Sequence, residues 1–369
     1  MSPAPALTWM AGRPREFDRD ANTREARECS MSPISILCGV ATRLFGCFAL
    51  VPFVFAHSSG YAAEPLKVRL AQIYQIHGAQ MFDPFFVKKA EKYGISVEVV
   101  PMKRYGDVQL ALATGGVEFG VLGFFNIGTM ADNNIENIKI IAGSSIGGQG
   151  LVCRKQINAK ITNWKDLETL KVGVAPNGSA HNIFRTLIVQ NGADLRKVIQ
   201  VDFPGMGPEA VQSLRTGDID CLLSWEPTDA RAVVDGIAEY SSLKLEESPT
   251  GNINGAFAVN TDFASKHPEA TLNMVRTSVE ATTQLNGDHD LWIRLASAKT
   301  GVSAAVVKTA IERLTITYDI PEAKTKAFMD LMAKFGATKK NYRDVVPRYI
   351  DYSYLEKATG KTAKQLGAD

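Results

Sequence analysis

The sequence predicts an α/β protein of two lobes followed by a helical C-terminal part, and three observations lead there. The chain has 369 residues, two to three times the length of an ordinary domain. Short apolar or alternating runs that read as strands alternate with helical runs, and this rhythm passes through the chain twice. From Pro268 onward the pattern is mostly helical. Hydrophobic residues make up 45% and charged residues 22%, which suits a chain that buries a core and excludes disordered, collagen-like and coiled-coil classes. With 41 Lys and Arg against 39 Asp and Glu, the net charge of +2 leaves no electrostatic footprint for nucleic acid, and no basic helix suggests a membrane surface.

The N-terminal 63 residues read as a leader. Residues 1–30 are polar with no apolar periodicity, and Met31 opens a different composition, so the true start is expected at Met31. Arg43, the apolar run 44–56 and the small-residue stretch 57–63 follow the charged, apolar, small order of a secretory signal. Cleavage is expected after Ala62 or Ala63. Leu44-Phe45-Gly46-Cys47 loosely resembles a lipoprotein box, but Phe45 is too bulky and the apolar run continues beyond Cys47. Three of the five cysteines leave with this segment. Export permits Cys153 and Cys221 to pair, and two buried free thiols fit the sequence equally well.

The body then follows in order. Strands are predicted over residues 67–73, 95–100, 119–122 and 138–142, with helices over 85–92 and 107–114. The second pass has strands over 151–154, 171–175, 198–203 and 221–225, and helices over 164–170, 180–190 and 209–215. Asn163 is a suitable N-cap for the first of these, with Asp166 at the third position. The rhythm predicts parallel sheets with helices on their faces. Four further helices are predicted over 269–285, 291–300, 304–314 and 322–335.

In such sheets ligands bind beyond the strands' C-terminal ends, where helix N-termini offer free N–H groups. The loops at those ends are polar and aromatic. They carry Gln75 and His77, then Arg104 and Tyr105, then Phe124, Phe125 and Asn126, and then Ser145. In the second pass they carry Asn177, Ser179 and Ala180, then Met206, then Trp225 and Glu226. Two catalytic-looking matches fail on context. Gly143-Ser144-Ser145-Ile146-Gly147 has the letters of a nucleophile elbow, but a glycine-rich stretch and a strand follow it rather than a helix. Gly205-Met206-Gly207-Pro208-Glu209-Ala210 fits the dinucleotide fingerprint, with Glu226 about where a ribose ligand would stand. It lies deep in a chain read as exported, where nicotinamide cofactors are scarce. The four histidines of the mature chain show no metal-ligand spacing. No catalytic residue, metal ligand or cofactor is therefore expected. Asn177-Gly178-Ser179 is also a glycosylation sequon, which argues for a surface loop.

Four segments carry a family resemblance: Gly217 to Pro227 with its Trp225-Glu226-Pro227 ending, Leu110 to Gly120, Asp166 to Ala175, and Asp351-Tyr352-Ser353-Tyr354-Leu355. Together they resemble the nitrate/sulfonate/taurine branch of periplasmic solute-binding proteins across residues 66–356. The chain departs from that pattern with added aromatic bulk at Phe85-Phe86, with Lys103, Arg104 and Tyr105 in a loop that is often Gly/Ser-rich, and with Cys221 in place of an alanine. These departures suit an organic carboxylate or sulfonate better than a small inorganic anion.

The resemblance implies a type II periplasmic-binding-protein fold. Residues 64–147 and 251–369 would form lobe I, with the C-terminal helices packed on it, and residues 148–250 would form lobe II. Crossings near Gly147–Gly150 and Thr250–Asn254 would be the hinge. It also implies a monomer that closes on a small solute and delivers it from the periplasm to the permease of an ABC importer in the inner membrane. Arg104 would pair with the anion, Gln75 and His77 would add hydrogen bonds, Phe124, Phe125 and Trp225 would stack on an apolar part, and Asn252 would also lie at the site. Glu226 has a structural alternative, holding its neighbouring loop. Two rivals remain: an enzyme on the same fold, as in pyrimidine-precursor or menaquinone synthesis, and an exported sensor module.

Overall fold

A computed structural model of the chain describes residues 64–369, except Asn177 and Gly205. The predicted leader lies outside the described residues. Eleven strands run in chain order as β1 (Leu66–Gln72), β2 (Ile95–Pro101), β3 (Phe119–Gly123), β4 (Ile138–Gly147), β5 (Gln149–Arg154), β6 (Lys171–Val174), β7 (Ile199–Asp202), β8 (Cys221–Trp225), β9 (Ala238–Tyr240), β10 (Ile253–Asn260) and β11 (Leu314–Ile316). They form one six-stranded sheet, β11-β4-β10-β3-β1-β2, and one five-stranded sheet, β7-β6-β8-β5-β9.

Neither sheet is wholly parallel, which corrects the sequence expectation. β1 runs parallel to β2 and β3, but β10 is antiparallel to both β3 and β4. In the second sheet β6 is parallel to β7 and β8, while β5 is antiparallel to β8. The antiparallel members arise because the chain enters the second sheet through β5 and returns to the first through β10. Helix–strand rhythm does not encode such crossings. A second correction concerns residues 304–314: the helix stops at Ile311, and Leu314–Ile316 pairs with the edge of β4, burying Leu314 and Ile316 on one face.

Local signals elsewhere were direct. Asn163 accepts from the Lys165 N–H, and Asp166 accepts from the N–H groups of Thr162 and Asn163, so a capping box starts the short 3₁₀ helix Trp164–Leu167. Asn163→Ala is expected to cost about 1 kcal/mol, read from urea unfolding; an unchanged midpoint would show the cap to be dispensable.

The sheets meet at two bonded crossings. Gly147 and Gly148 join β4 to β5 with φ of +81° and +75°, a backbone region open to glycine. The Gly147 N–H donates to the Asn252 carbonyl at 2.7 Å, and the Gly148 N–H to the Arg313 carbonyl at 2.8 Å. Across β5 and β8, Cys153 and Cys221 stand directly opposite and form a disulfide. Among the described residues no helix is long and apolar enough to cross a membrane.

Candidate functional site

The first sheet delivers a hydrogen-bonded row at the ends of β1 and β2. The 3₁₀ helix Ile76–Met81 follows β1 and is buried along its whole length. Two bonds anchor it: the Trp292 indole N–H donates to the Ile76 carbonyl at 2.9 Å, and Gln72 Nε2 donates to the Gly78 carbonyl at 2.9 Å. This puts His77 Nε2 3.0 Å from the Tyr105 hydroxyl, which in turn donates to Gln75 Oε1 at 3.3 Å. With that hydroxyl proton committed to Gln75, the His77 Nε2–H is the donor to Tyr105. Burial pushes the His77 ring down to about 4 and raises the Tyr105 hydroxyl, so both are neutral at pH 7. The row is uncharged and ends on the half-buried amide of Gln75.

Aromatic bulk stands beside it. Phe125 meets Tyr105 edge-on, with ring centroids 5.9 Å apart. Its ring lies over Gly123, where an added Cβ would come within 2.3 Å of it. Phe124 is buried in the core, and its N–H donates to the Asn254 carbonyl at 3.0 Å. Asn126 is also buried: its Oδ1 accepts from the Gly123 N–H at 3.0 Å and its Nδ2 donates to Gln109 at 2.9 Å, which fixes the turn that presents Phe125. Arg104 caps the helix Tyr105–Ala113 from outside. Its guanidinium is 81% exposed and pairs with Asp107 at 3.0 Å.

Ser145 lies within β4, which continues to Gly147, so no helix follows and the elbow geometry is absent there. Its Oγ is buried without a protein hydrogen-bond partner, as are Gln72 Oε1 and Gln80 Oε1. Gln80 Nε2 donates to the Ser144 carbonyl and hydroxyl at 2.9 and 3.0 Å. Buried oxygens of this kind cost about 1–3 kcal/mol each when unmet.

From the second sheet, Gln149 is the pivot. Its Oε1 accepts from the Ser179 hydroxyl at 2.6 Å, while its Nε2 donates to the Ile253 carbonyl at 2.9 Å. Ser179 and buried Ala180 open the helix Ser179–Gln190, whose N-cap Gly178 supplies no side-chain acceptor. Trp225 pairs with Gln149 across β5 and β8 and is half-buried. Met206 packs into the apolar cluster of this sheet with φ of +44°. Asn177 lies outside the described residues. Asn252 donates to the Gln149 carbonyl at 2.9 Å and to Glu246 at 3.2 Å, tying the two crossings together.

Glu226 is spent locally. Its Oε2 accepts from the Ala230 N–H at 2.9 Å and its Oε1 from the Tyr240 hydroxyl at 2.6 Å. With both oxygens engaged and the side chain fully buried, no oxygen is left for a ribose at the fingerprint-like loop. Asp229, also fully buried, accepts from the Ser224 hydroxyl. Arg313 lies over the Tyr240 ring at 4.3 Å, with its Nε 3.9 Å from Glu226. Burial pushes Glu226 up to about 7 and holds Asp229 well above the carboxylate range, partly through the neighbouring Glu226 charge. Sequence reasoning missed Gln80, Gln149, Asp229 and Arg313. Only Gln149 carried a signal, as the single polar side chain between Gly147-Gly148 and Gly150.

Comparison with known proteins adds the following. The model of the NMT1-like family matches residues 52–300. The taurine-binding periplasmic protein of Escherichia coli K12 is 24% identical over 237 residues, covering 63% of this chain and 67% of that protein. The bicarbonate-binding protein CmpA of Synechococcus elongatus is 24% identical over 214 residues, covering 52% of this chain and 47% of CmpA, so the chain spans about half of that relative. In structure, the periplasmic aliphatic sulphonate binding protein SsuA from Escherichia coli superposes with a TM-score of 0.66 at 16% identity, over 78% of this chain and 92% of SsuA. The desulfurization enzyme DszB superposes with a TM-score of 0.60 at 14% identity, over 80% of this chain and 99% of DszB. The fold is that of type II periplasmic-binding proteins, and it also houses an enzyme.

Proposed function

Because the chain belongs to the NMT1-like family, we propose that it captures a small organic anion, a sulfonate or carboxylate, between its two sheets. It then hands the solute unchanged to the permease of an ABC importer from the periplasm. The lobes of this reading are residues 64–147 with 251–369, and residues 148–250, behind a leader of 63 residues. What supports it is a His77–Tyr105–Gln75 row with Phe125 beside it at the strand ends of the first sheet, and Ser179 at a helix N-terminus with Trp225, both against Gln149, in the second. Such a set offers hydrogen-bond donors to an anion's oxygens and two aromatic faces to its apolar body. It includes no nucleophile paired with a base. Arg104 would join from the rim by exchanging Asp107 for the solute.

Thermal-shift screening of the full chain against taurine, longer alkanesulfonates, aromatic carboxylates, nitrate and bicarbonate tests this. At a hundredfold excess over the dissociation constant, a true solute adds about 2.7 kcal/mol. Tyr105→Phe removes the hydroxyl that links His77 to Gln75 and is expected to weaken that solute about tenfold, the worth of one good polar contact. Undiminished affinity would take the row out of the site. The DszB likeness favours a second reading, an enzyme, which product formation from any of these compounds would establish.

A further inference from the structure

A cavity of about 530 Å³ opens on the flank of the crossings, and Asn252 is the one predicted site residue that lines it. Its walls come from Ile146 and Gly147, from the segment holding Lys244 and Glu246, from Gly251 to Ile253, and from β11 with Lys324 beyond it. Its volume falls within the range of small-molecule sites.

Its two lysines are not tied into ion pairs among the described residues. Lys244, Arg313 and Lys324 face Glu246 and Glu312. Lysine ion pairs among the described residues involve Lys92, Lys197, Lys299 and Lys326, not Lys244 or Lys324. Lys324 Nζ lies 3.2 Å from where residue 251 would carry a Cβ, so glycine there leaves the ammonium room against the crossing. Arg313 is engaged by Glu226, whose Oε1 lies 3.9 Å from its Nε, so the two lysines are the cations left for a guest. Asn252, 6% exposed, donates through Nδ2 to Gln149 and Glu246, which fixes the orientation of its amide and leaves Oδ1 buried without a donor. The cavity thus presents cations for an anionic group beside an acceptor that needs an O–H or N–H.

We propose that this cavity is a second binding site, taking a small hydroxycarboxylate whose carboxylate sits between Lys244 and Lys324 and whose hydroxyl donates to Asn252. The site goes beyond the solute-capture reading and shares with its expected residues only Asn252. Its walls come from the six-stranded sheet and from the segment Ser241–Glu246 that follows β9, so an occupant touches both and favours whichever arrangement of the two fits it best.

Calorimetric titration of the full chain with L-malate and with L-tartrate tests this, using the wild type, Lys244→Gln/Lys324→Gln and Tyr105→Phe. Both lysines are exposed, so the double variant is expected to melt like the wild type. The expected result is binding to the wild type and to Tyr105→Phe, weakened about tenfold or more in the lysine variant by loss of two charge-assisted contacts. Binding that Tyr105→Phe weakens and the lysine variant keeps would assign these acids to the capture site and overturn the second one. No heat with either acid at millimolar concentration would overturn it too, and would leave the capture reading untouched.

Discussion

Replacing Cys153 and Cys221 together by alanine is expected to lower stability by about 4 kcal/mol, because the bridge closes a loop between residues 68 apart in the chain. That loop holds β6, β7 and the helices Ser179–Gln190 and Pro208–Thr216, most of the second sheet's surroundings. Without the bridge, the unfolded chain regains the freedom of that whole segment, while the folded state keeps the β5–β8 ladder. Guanidinium unfolding of the wild type with and without reductant, beside the double variant, measures it. Reduced wild type and double variant should unfold together, well before oxidised wild type. A loss below about 1 kcal/mol would mean that the denatured state is already ordered around this pair.

Arg313→Leu is expected to cost about 3 kcal/mol at pH 8 and much less at pH 6. Arg313 is a cation that faces the buried Glu226 and Asp229, and its guanidinium lies over the Tyr240 ring. Removing it leaves two carboxyls that are already held above their ordinary range, chiefly by burial. The sign follows from proton counting. A carboxyl raised to about 7 when folded binds more protons in the native chain than in the unfolded one between pH 4.5 and 7, so its contribution falls as pH rises through that window. Loss of Arg313 extends that fall to higher pH. His77 has the opposite slope: its folded ring titrates near 4, so it favours the native chain increasingly as pH rises from 4 to 6.5. Because His77 is present in both proteins, the difference between them isolates the carboxyls. Urea unfolding at pH 6 and pH 8 reads it, and a pH-independent difference would remove Arg313 from the charge balance of this pair.

Legibility in the sequence followed the range of the interactions. β1, β3 and β8 were readable because alternation or a short apolar run between turns is a local pattern. The Asn163–Asp166 box was readable because both partners lie within one turn. β10 has no such local mark: Ile253 to Asn260 is held as a strand by its place between β3 and β4. The same holds for the site. The aromatic and polar loops were visible, but whether a side chain lines a cleft or is consumed depends on distant partners. Asn126 is consumed by Gln109, Glu226 by Tyr240 and Ala230, and Arg104 pairs within its own turn. Arg313 lies 87 residues after Glu226 in the chain, and no spacing rule joins the two.

The Cys153–Cys221 bond also has a mechanical consequence. It fastens the strand that begins at Gln149 to the strand that ends at Trp225, four registers away along the same ladder. On the capture reading, a lobe movement that starts at Gln149 therefore reaches the indole through two strands that cannot slide along each other. A fluorophore fixed near Trp225 would report solute uptake in the oxidised protein with its full angular amplitude, and reduction would blunt the signal before it abolished the affinity.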